Sequence, residues 1–142
     1  MRFSSWVPFA PLPIRIIVGI IFIFHGIMKF IQPGQAVSVF GHLGIPFPGL
    51  AAPVIGLLEV IGGLCLVIGL LTRIFSVLLI IEMIVGILTA TLAAGLLGGS
   101  DLELVVIAGL LSLILSGPGP LSLAHRLQPN PLLEGERETL LA

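Results

Sequence analysis

Charge is what this sequence has least of. Aspartate, glutamate, lysine and arginine make up 9% of the chain and apolar residues 57%, against roughly 25% charged residues in ordinary soluble domains. That balance excludes a soluble globular fold and defines an integral membrane protein. Cysteine is almost absent, since Cys65 stands alone. A single thiol excludes an internal disulfide, a Cys-x-x-Cys relay, an iron–sulfur cluster and a multi-cysteine zinc site within the chain. Cys65 therefore reads as a small packing residue. Basic residues are too few for a nucleic-acid-binding face, so nucleic acid is not a partner.

What the chain has instead is length enough for about four helices of about 20 residues, each able to cross a bilayer. The sequence predicts an all-α polytopic membrane protein, a four-transmembrane-helix antiparallel bundle. The first span is expected at Pro13–Phe30, after the rigid Pro11-Leu12-Pro13 and before Gln32-Pro33-Gly34. Gly49–Leu71 forms the second, with Pro53 placed in its first turn, where a missing N–H is tolerated. Thr72-Arg73 then makes a turn so short that the third span, Ile74–Leu97, must be an antiparallel neighbour. The fourth follows a Ser100 or Asp101 cap and stops at Ser116, before Gly117-Pro118-Gly119-Pro120. Residues 1–125 are read as one membrane domain and 126–142 as a cytoplasmic tail. Arg15, His25 and Lys29 interrupt the first apolar run, which argues for a retained helix over a cleaved signal peptide.

Four spans put both termini on one side, together with Arg2, Arg73, Arg126 and Arg137. The positive-inside rule makes that side cytoplasmic and places Ile31–Pro48 and the Gly98–Asp101 turn outside. Within the long outer loop, Gln35–Leu43 has the pattern of two helical turns lying on the membrane as a lid. His42 reads as a surface residue there.

Glu59 carries the functional question. It is the only ionisable group between Gly49 and Leu71, and a charge at the centre of a membrane helix costs roughly 2.5–3.5 kcal/mol on insertion scales. Ala52, Gly56, Glu59 and Gly63 fall on one helical stripe, so small residues surround the carboxylate where another helix can approach. Arg15, Gly19, Gly26 and Lys29 form a similar stripe on the first helix, and Glu82, Gly86, Thr89 and Ala93 on the third. At about 1.5 Å per residue, His25 and Glu59 reach similar depth, Lys29 and Glu103 share the outer end, and Glu82 lies below them. The intramembrane candidates are therefore His25, Lys29, Glu59, Glu82 and Glu103, with Arg15 and Arg73 secondary near the cytoplasmic surface. The expected pairs are His25 with Glu59 and Lys29 with Glu103. Such a cluster either holds helices together or relays protons and binds a small ligand. No His-x-x-x-His or Glu-x-x-His pair marks a metal site.

These pieces in this order resemble the DoxX family of small prokaryotic membrane proteins. The resemblance rests on Arg15, Phe24-His25-Gly26-Ile27-Met28-Lys29, Gly44-Ile45-Pro46-Phe47-Pro48, Glu59-Val60-Ile61-Gly62-Gly63, Gly69-Leu70-Leu71-Thr72-Arg73, Glu103 and Gly117-Pro118-Gly119-Pro120-Leu121-Ser122-Leu123. Together they span residues 13–125. It implies a four-helix fold in the inner membrane and a tie to redox biology: related DoxD-like proteins are membrane subunits of a thiosulfate:quinone oxidoreductase, and some DoxX proteins resemble anchors of assemblies that handle oxidative and thiol stress. Ala124 stands where the family carries an aspartate after Ser-Leu, so a role for that acid is absent here. Glu82 has no assigned place in the family pattern. No cofactor ligands are evident, and quinone is the cofactor that the resemblance admits. The expected partners are the lipid bilayer and membrane redox or respiratory proteins, with a homo-oligomer left open. Two functions follow as expectations: a subunit supporting a redox or respiratory assembly, with a thiosulfate:quinone oxidoreductase subunit as its narrower form, or a small-solute or proton transporter.

Overall fold

The computed structural model describes residues 7–94 and 101–127, whose regular elements are all helical, with no strand among them. After a single 3₁₀ turn at Val7–Phe9, the elements are α1 (Pro11–Ile31), α2 (Pro33–His42), α3 (Pro48–Ile68), α4 (Thr72–Ala94), α5 (Asp101–Ser116) and the one-turn α6 (Leu123–Arg126). Three helices open on proline at the first helical position, Pro11, Pro33 and Pro48, where the ring's fixed φ suits the helix and no N–H is lost. The helices α1, α3 and α4 are long and apolar enough to cross a membrane. The 16 described residues of α5 span about 24 Å at 1.5 Å per residue, short of a hydrocarbon core of about 30 Å. The fold is therefore that of a polytopic helical membrane protein, with three full spans and a shorter fourth helix among the described residues.

Several boundaries differ from expectation. The second span ends at Ile68, because Gly69 takes a left-handed conformation (φ 74°) and Leu70 N–H donates back to the Cys65 carbonyl, the usual C-terminal stop of a helix. The connection to α4 is thus Gly69–Leu71, and Thr72 and Arg73 are already helical. Pro53 is not in the first turn, since α3 begins at Pro48. Its ring deprives the Gly49 carbonyl of an intrahelical donor, near the end where α2 meets α3. The expected amphipathic segment in the long loop is present as α2, which starts two residues earlier and ends one residue earlier than the expected Gln35–Leu43. The tail at 128–142 and the Gly98–Asp101 turn, apart from Asp101, lie outside the described residues.

A close backbone-to-backbone contact joins α1 to α3. A Cβ added at Gly19 would sit 2.7 Å from the Gly63 carbonyl oxygen, and one at Gly26 would sit 2.6 Å from that of Gly56. Matching Gly19 to Gly63 and Gly26 to Gly56 makes the two helices antiparallel. Absent side chains at two levels let the backbones touch, which is how membrane helices associate when lipid is as apolar as they are. The third stripe behaves differently: Gly86 has nothing within 4 Å of an added Cβ. On α4 the small residue opens space instead of closing an interface.

Below these contacts, Val18 and Phe22 of α1, Leu66 of α3, Leu79 of α4, and Val106, Leu110 and Leu113 of α5 form one buried apolar cluster. It fills the half of the bundle nearer the Gly69–Leu71 turn. The chain after α5 then folds under this end: Arg15 donates to the carbonyls of Pro118 and Leu121, Ala124 N–H donates to Gly69 O, and Ser122 Oγ donates to Gly119 O at 2.7 Å. Arg15, only 2% exposed, is thus the peg around which residues 117–124 close the bundle. Arg73 is exposed, with its guanidinium beside Gly117.

Candidate functional site

With one half of the bundle packed solid, the other half holds a cavity of about 500 Å³. His25 and Lys29 reach it from α1, Glu59 from α3, Glu82 from α4 and Glu103 from α5, among walls that include Ile55, Leu58, Leu78, Ile81 and Val106. Phe40 of α2, and Leu43 and Ile45 of the chain that follows, line it as well. All five intramembrane candidates therefore line one space. Arg15 and Arg73 do not line it and sit at the opposite end.

The pairing inside the cavity differs from the expected one. Lys29 Nζ donates to Glu59 Oε2 at 2.5 Å, so lysine is paired with Glu59 and not with Glu103. The reason is direction: helical side chains lean toward the N-terminus of their helix, which carries the long lysine chain inward to the depth of Glu59. His25 does not meet Glu59 either. It is exposed, and its Nδ1 lies 3.0 Å from the Ile21 carbonyl of its own helix. Its ring packs edge-on against Phe24, with centroids 6.2 Å apart. Glu59 is 2% exposed, which the small stripe of Ala52, Gly56 and Gly63 explains.

Glu82 lies within electrostatic reach of both Glu59 and Lys29. Its Oε2 and the Oε2 of Glu103 are buried with no hydrogen-bond partner among the described residues. Buried polar atoms without partners are expensive, at about 1–3 kcal/mol each, and are exceptions that call for a ligand, water or functional reason. Thr89, on the Glu82 stripe, offers no donor to them, because its hydroxyl bonds back to Val85 and Gly86 of its own helix. Among the described residues no three histidine, cysteine, aspartate or glutamate side chains gather as metal ligands.

A second space, about 390 Å³, lies between α1 and α2 and is lined by Met28, Gln32, Gln35, Ala36 and Val39. It shares His25, Lys29 and Phe40 with the main cavity. Phe40 lines both spaces, a role that sequence showed only as an apolar position on a lid. Gly86 was misread for a related reason, since helical periodicity reports which residues share a face and not whether that face meets a helix or a void.

An apolar cavity with acid–base side chains, set among antiparallel helices of membrane-spanning length, belongs to a small polytopic membrane protein. The chain belongs to the DoxX family, which it matches over residues 10–92. It is 36% identical over 104 residues to a Bacillus subtilis (strain 168) protein named "Putative oxidoreductase CatD", covering 73% of this chain and 76% of that one. It is also 34% identical over 138 residues to "Uncharacterized membrane protein Rv3486" of Mycobacterium tuberculosis (strain ATCC 25618 / H37Rv), covering 87% and 85% of the two chains. No solved structure matches.

Proposed function

We propose that this protein is a non-catalytic or weakly catalytic subunit of a redox or respiratory assembly in the prokaryotic inner membrane, and that its cavity receives the head group of a membrane quinone. The observation that carries the reading is the cavity itself. Its volume, about 500 Å³, falls in the range of about 300–1,000 Å³ typical of small-molecule sites, and such sites pair mostly apolar walls with a few convergent polar groups. Glu82 and Glu103 present oxygens without a hydrogen-bond partner among the described residues, and the Lys29–Glu59 pair supplies a fixed dipole beside them. The name of the B. subtilis relative, an oxidoreductase, supports the redox side of the reading. Bound there, a quinone would carry two electrons and two protons between the assembly and the bilayer pool. The chain's own part is to desolvate the head group, orient it against Glu59, Glu82 and Glu103, and exchange protons with it.

The test is binding of a short-chain quinone to the protein in lipid nanodiscs, followed for the wild type and Glu59→Gln. The amide keeps the size of Glu59 and can still accept from Lys29 but carries no exchangeable carboxyl proton. Affinity should fall about tenfold, equivalent to about 1.4 kcal/mol, with thermal stability nearly unchanged. Unaltered binding and unaltered partner-dependent turnover in this variant would remove Glu59 from the site.

A second reading, a proton or small-solute transporter, is favoured by the two spaces meeting at His25, Lys29 and Phe40. Proton flux by the protein alone in liposomes would select it. In either reading the termini and the Gly69–Leu71 turn face the cytoplasm, from the arginine distribution. In a Cys65→Ala background, Ser38→Cys on α2 should react with an impermeant thiol reagent added outside cells, and Leu127→Cys should not. The opposite labelling pattern would invert the topology.

A further inference from the structure

We infer that the space between α1 and α2 is a water-filled vestibule, and that water and protons reach the main cavity through it from the membrane face on which α2 lies and not from the opposite face. The two spaces share His25, Lys29 and Phe40, so whatever wets the smaller one touches the ion pair of the larger. The smaller space, about 390 Å³, has room for several waters at about 30 Å³ each. A water held inside a protein also needs about two to four polar partners, and this lining supplies them. They are the amides of Gln32 and Gln35, the imidazole of His25, and the ammonium of Lys29, which has further N–H donors beyond the one committed to Glu59. The mouth lies at the membrane surface. The 21 residues of α1 rise about 31 Å at 1.5 Å each, which matches a hydrocarbon core of about 30 Å, and Gln32 and Gln35 follow directly, both exposed.

Among the described residues the opposite half offers no such path. Phe22 of α1, Leu66 of α3, Leu79 of α4, and Leu110 and Leu113 of α5 are buried in one apolar cluster, which draws on every long helix between the cavity and the Gly69–Leu71 turn. An apolar layer gives water neither donors nor acceptors and stays dry. Beyond it, Arg15 holds the carbonyls of Pro118 and Leu121 across that end of the bundle. Thr72 and Ser76 are buried polar residues of the same half, but Leu79 stands between them and Glu82 along α4. The titratable groups of the cavity, His25 and Lys29 from α1, Glu59 from α3, Glu82 from α4 and Glu103 from α5, all lie on the vestibule side of this layer. A proton taken up or released among them therefore exchanges with one aqueous phase, the outer one when the termini are cytoplasmic. The route holds whether the ligand of the cavity is a quinone or another molecule, and it sets the side on which that ligand's protons are exchanged.

The experiment uses the full chain in right-side-out and inside-out membrane vesicles, in the Cys65→Ala background, with Leu58→Cys on the wall of the main cavity. The probe is an impermeant trimethylammonium methanethiosulfonate, which reacts with a thiolate in contact with water. Reagent on the α2 face should label Leu58→Cys at least about tenfold faster than reagent on the other face. The rate should also rise about tenfold per pH unit with the pH of the α2-side compartment alone, because the thiolate fraction does so below the pKa of a thiol. Gln32→Leu with Gln35→Leu removes polar partners of the vestibule water at exposed positions and should slow labelling about tenfold. Leu110→Cys, in the apolar layer, should resist the reagent from both faces. Equal labelling of Leu58→Cys from the two faces, or a rate that follows the pH on the side of the termini, overturns the inference and selects the transporter reading. Labelling that ignores the glutamine pair overturns the vestibule as the route. Failure of both this reagent and silver ion to reach Leu58→Cys from the α2 face means a dry cavity and overturns it as well. Quinone binding in nanodiscs is measured separately and can survive each of these outcomes.

Discussion

Gly63→Ala should separate α1 from α3 and destabilise the protein by about 3 kcal/mol, the upper end of the cost of inserting a methyl group into a packed interior. The added Cβ would stand 2.5 Å from the Gly19 carbonyl oxygen and 2.9 Å from the Ile23 backbone nitrogen. Neither atom is the end of a side chain that could swing away, so the helices themselves must move. That movement also loosens Gly26 against Gly56 and the Lys29–Glu59 pair between the same helices. Gly86→Ala is the matched control: a Cβ there meets nothing within 4 Å, and replacing glycine by alanine within a helix is favourable by about 0.5–1 kcal/mol. Denaturation in mixed micelles measures both. Equal stability of the two variants would show that the glycine contact does not hold the bundle.

This contrast marks how far the sequence could be read. Glycines on the Glu59 stripe and on the Lys29 stripe were correctly legible as helix contacts, because a small residue inside a membrane helix most often serves close approach. The same rule applied to Gly86 gave a third contact that does not exist. A period identifies a face, but only the placement of α5, α2 and the connecting chain decides whether that face is packed or empty. Arg15 is a similar case. Its place on the stripe of Gly19, Gly26 and Lys29 set it facing another helix, yet what buries it is the carbonyls of Pro118 and Leu121, which come back from more than 100 residues away to accept from it. The left-handed glycines at 117 and 119 (φ 73° and 77°) make that return, and nothing local in the sequence ties them to Arg15. Depth along each helix can be counted at a fixed rise, which set His25, Lys29, Glu59 and Glu103 toward one end with Glu82 below them, whereas all five line one cavity. Rotamers cannot be counted in that way. Lys29 reaches inward to Glu59, and His25 turns to its own helix.

Lys29→Ala should be markedly more damaging than Glu59→Ala, although the two substitutions break the same 2.5 Å ion pair. The asymmetry comes from what each leaves behind. Without Lys29, the Glu59 carboxylate remains at 2% exposure, walled by α1 and the small residues of its own stripe, and cannot move to water. Removing one partner of a buried pair in this way costs about 3–5 kcal/mol. Without Glu59, the lysine keeps a flexible stem on the last turn of α1 and can extend its ammonium outward past α2, so the cost should be nearer 1 kcal/mol, the scale of an ordinary interhelical polar contact in a membrane. The double variant should then be little worse than Glu59→Ala alone, giving a coupling energy of about 3 kcal/mol or more, at or above the upper end for residues in direct contact. A parallel cycle between Lys29 and Glu103 should be nearly additive, since Lys29 is already committed to Glu59. Stability measured by unfolding in detergent supplies all of these values. Additivity between Lys29 and Glu59, or strong coupling between Lys29 and Glu103, would mean that the lysine serves the outer carboxyl and that Glu59 is held by something else.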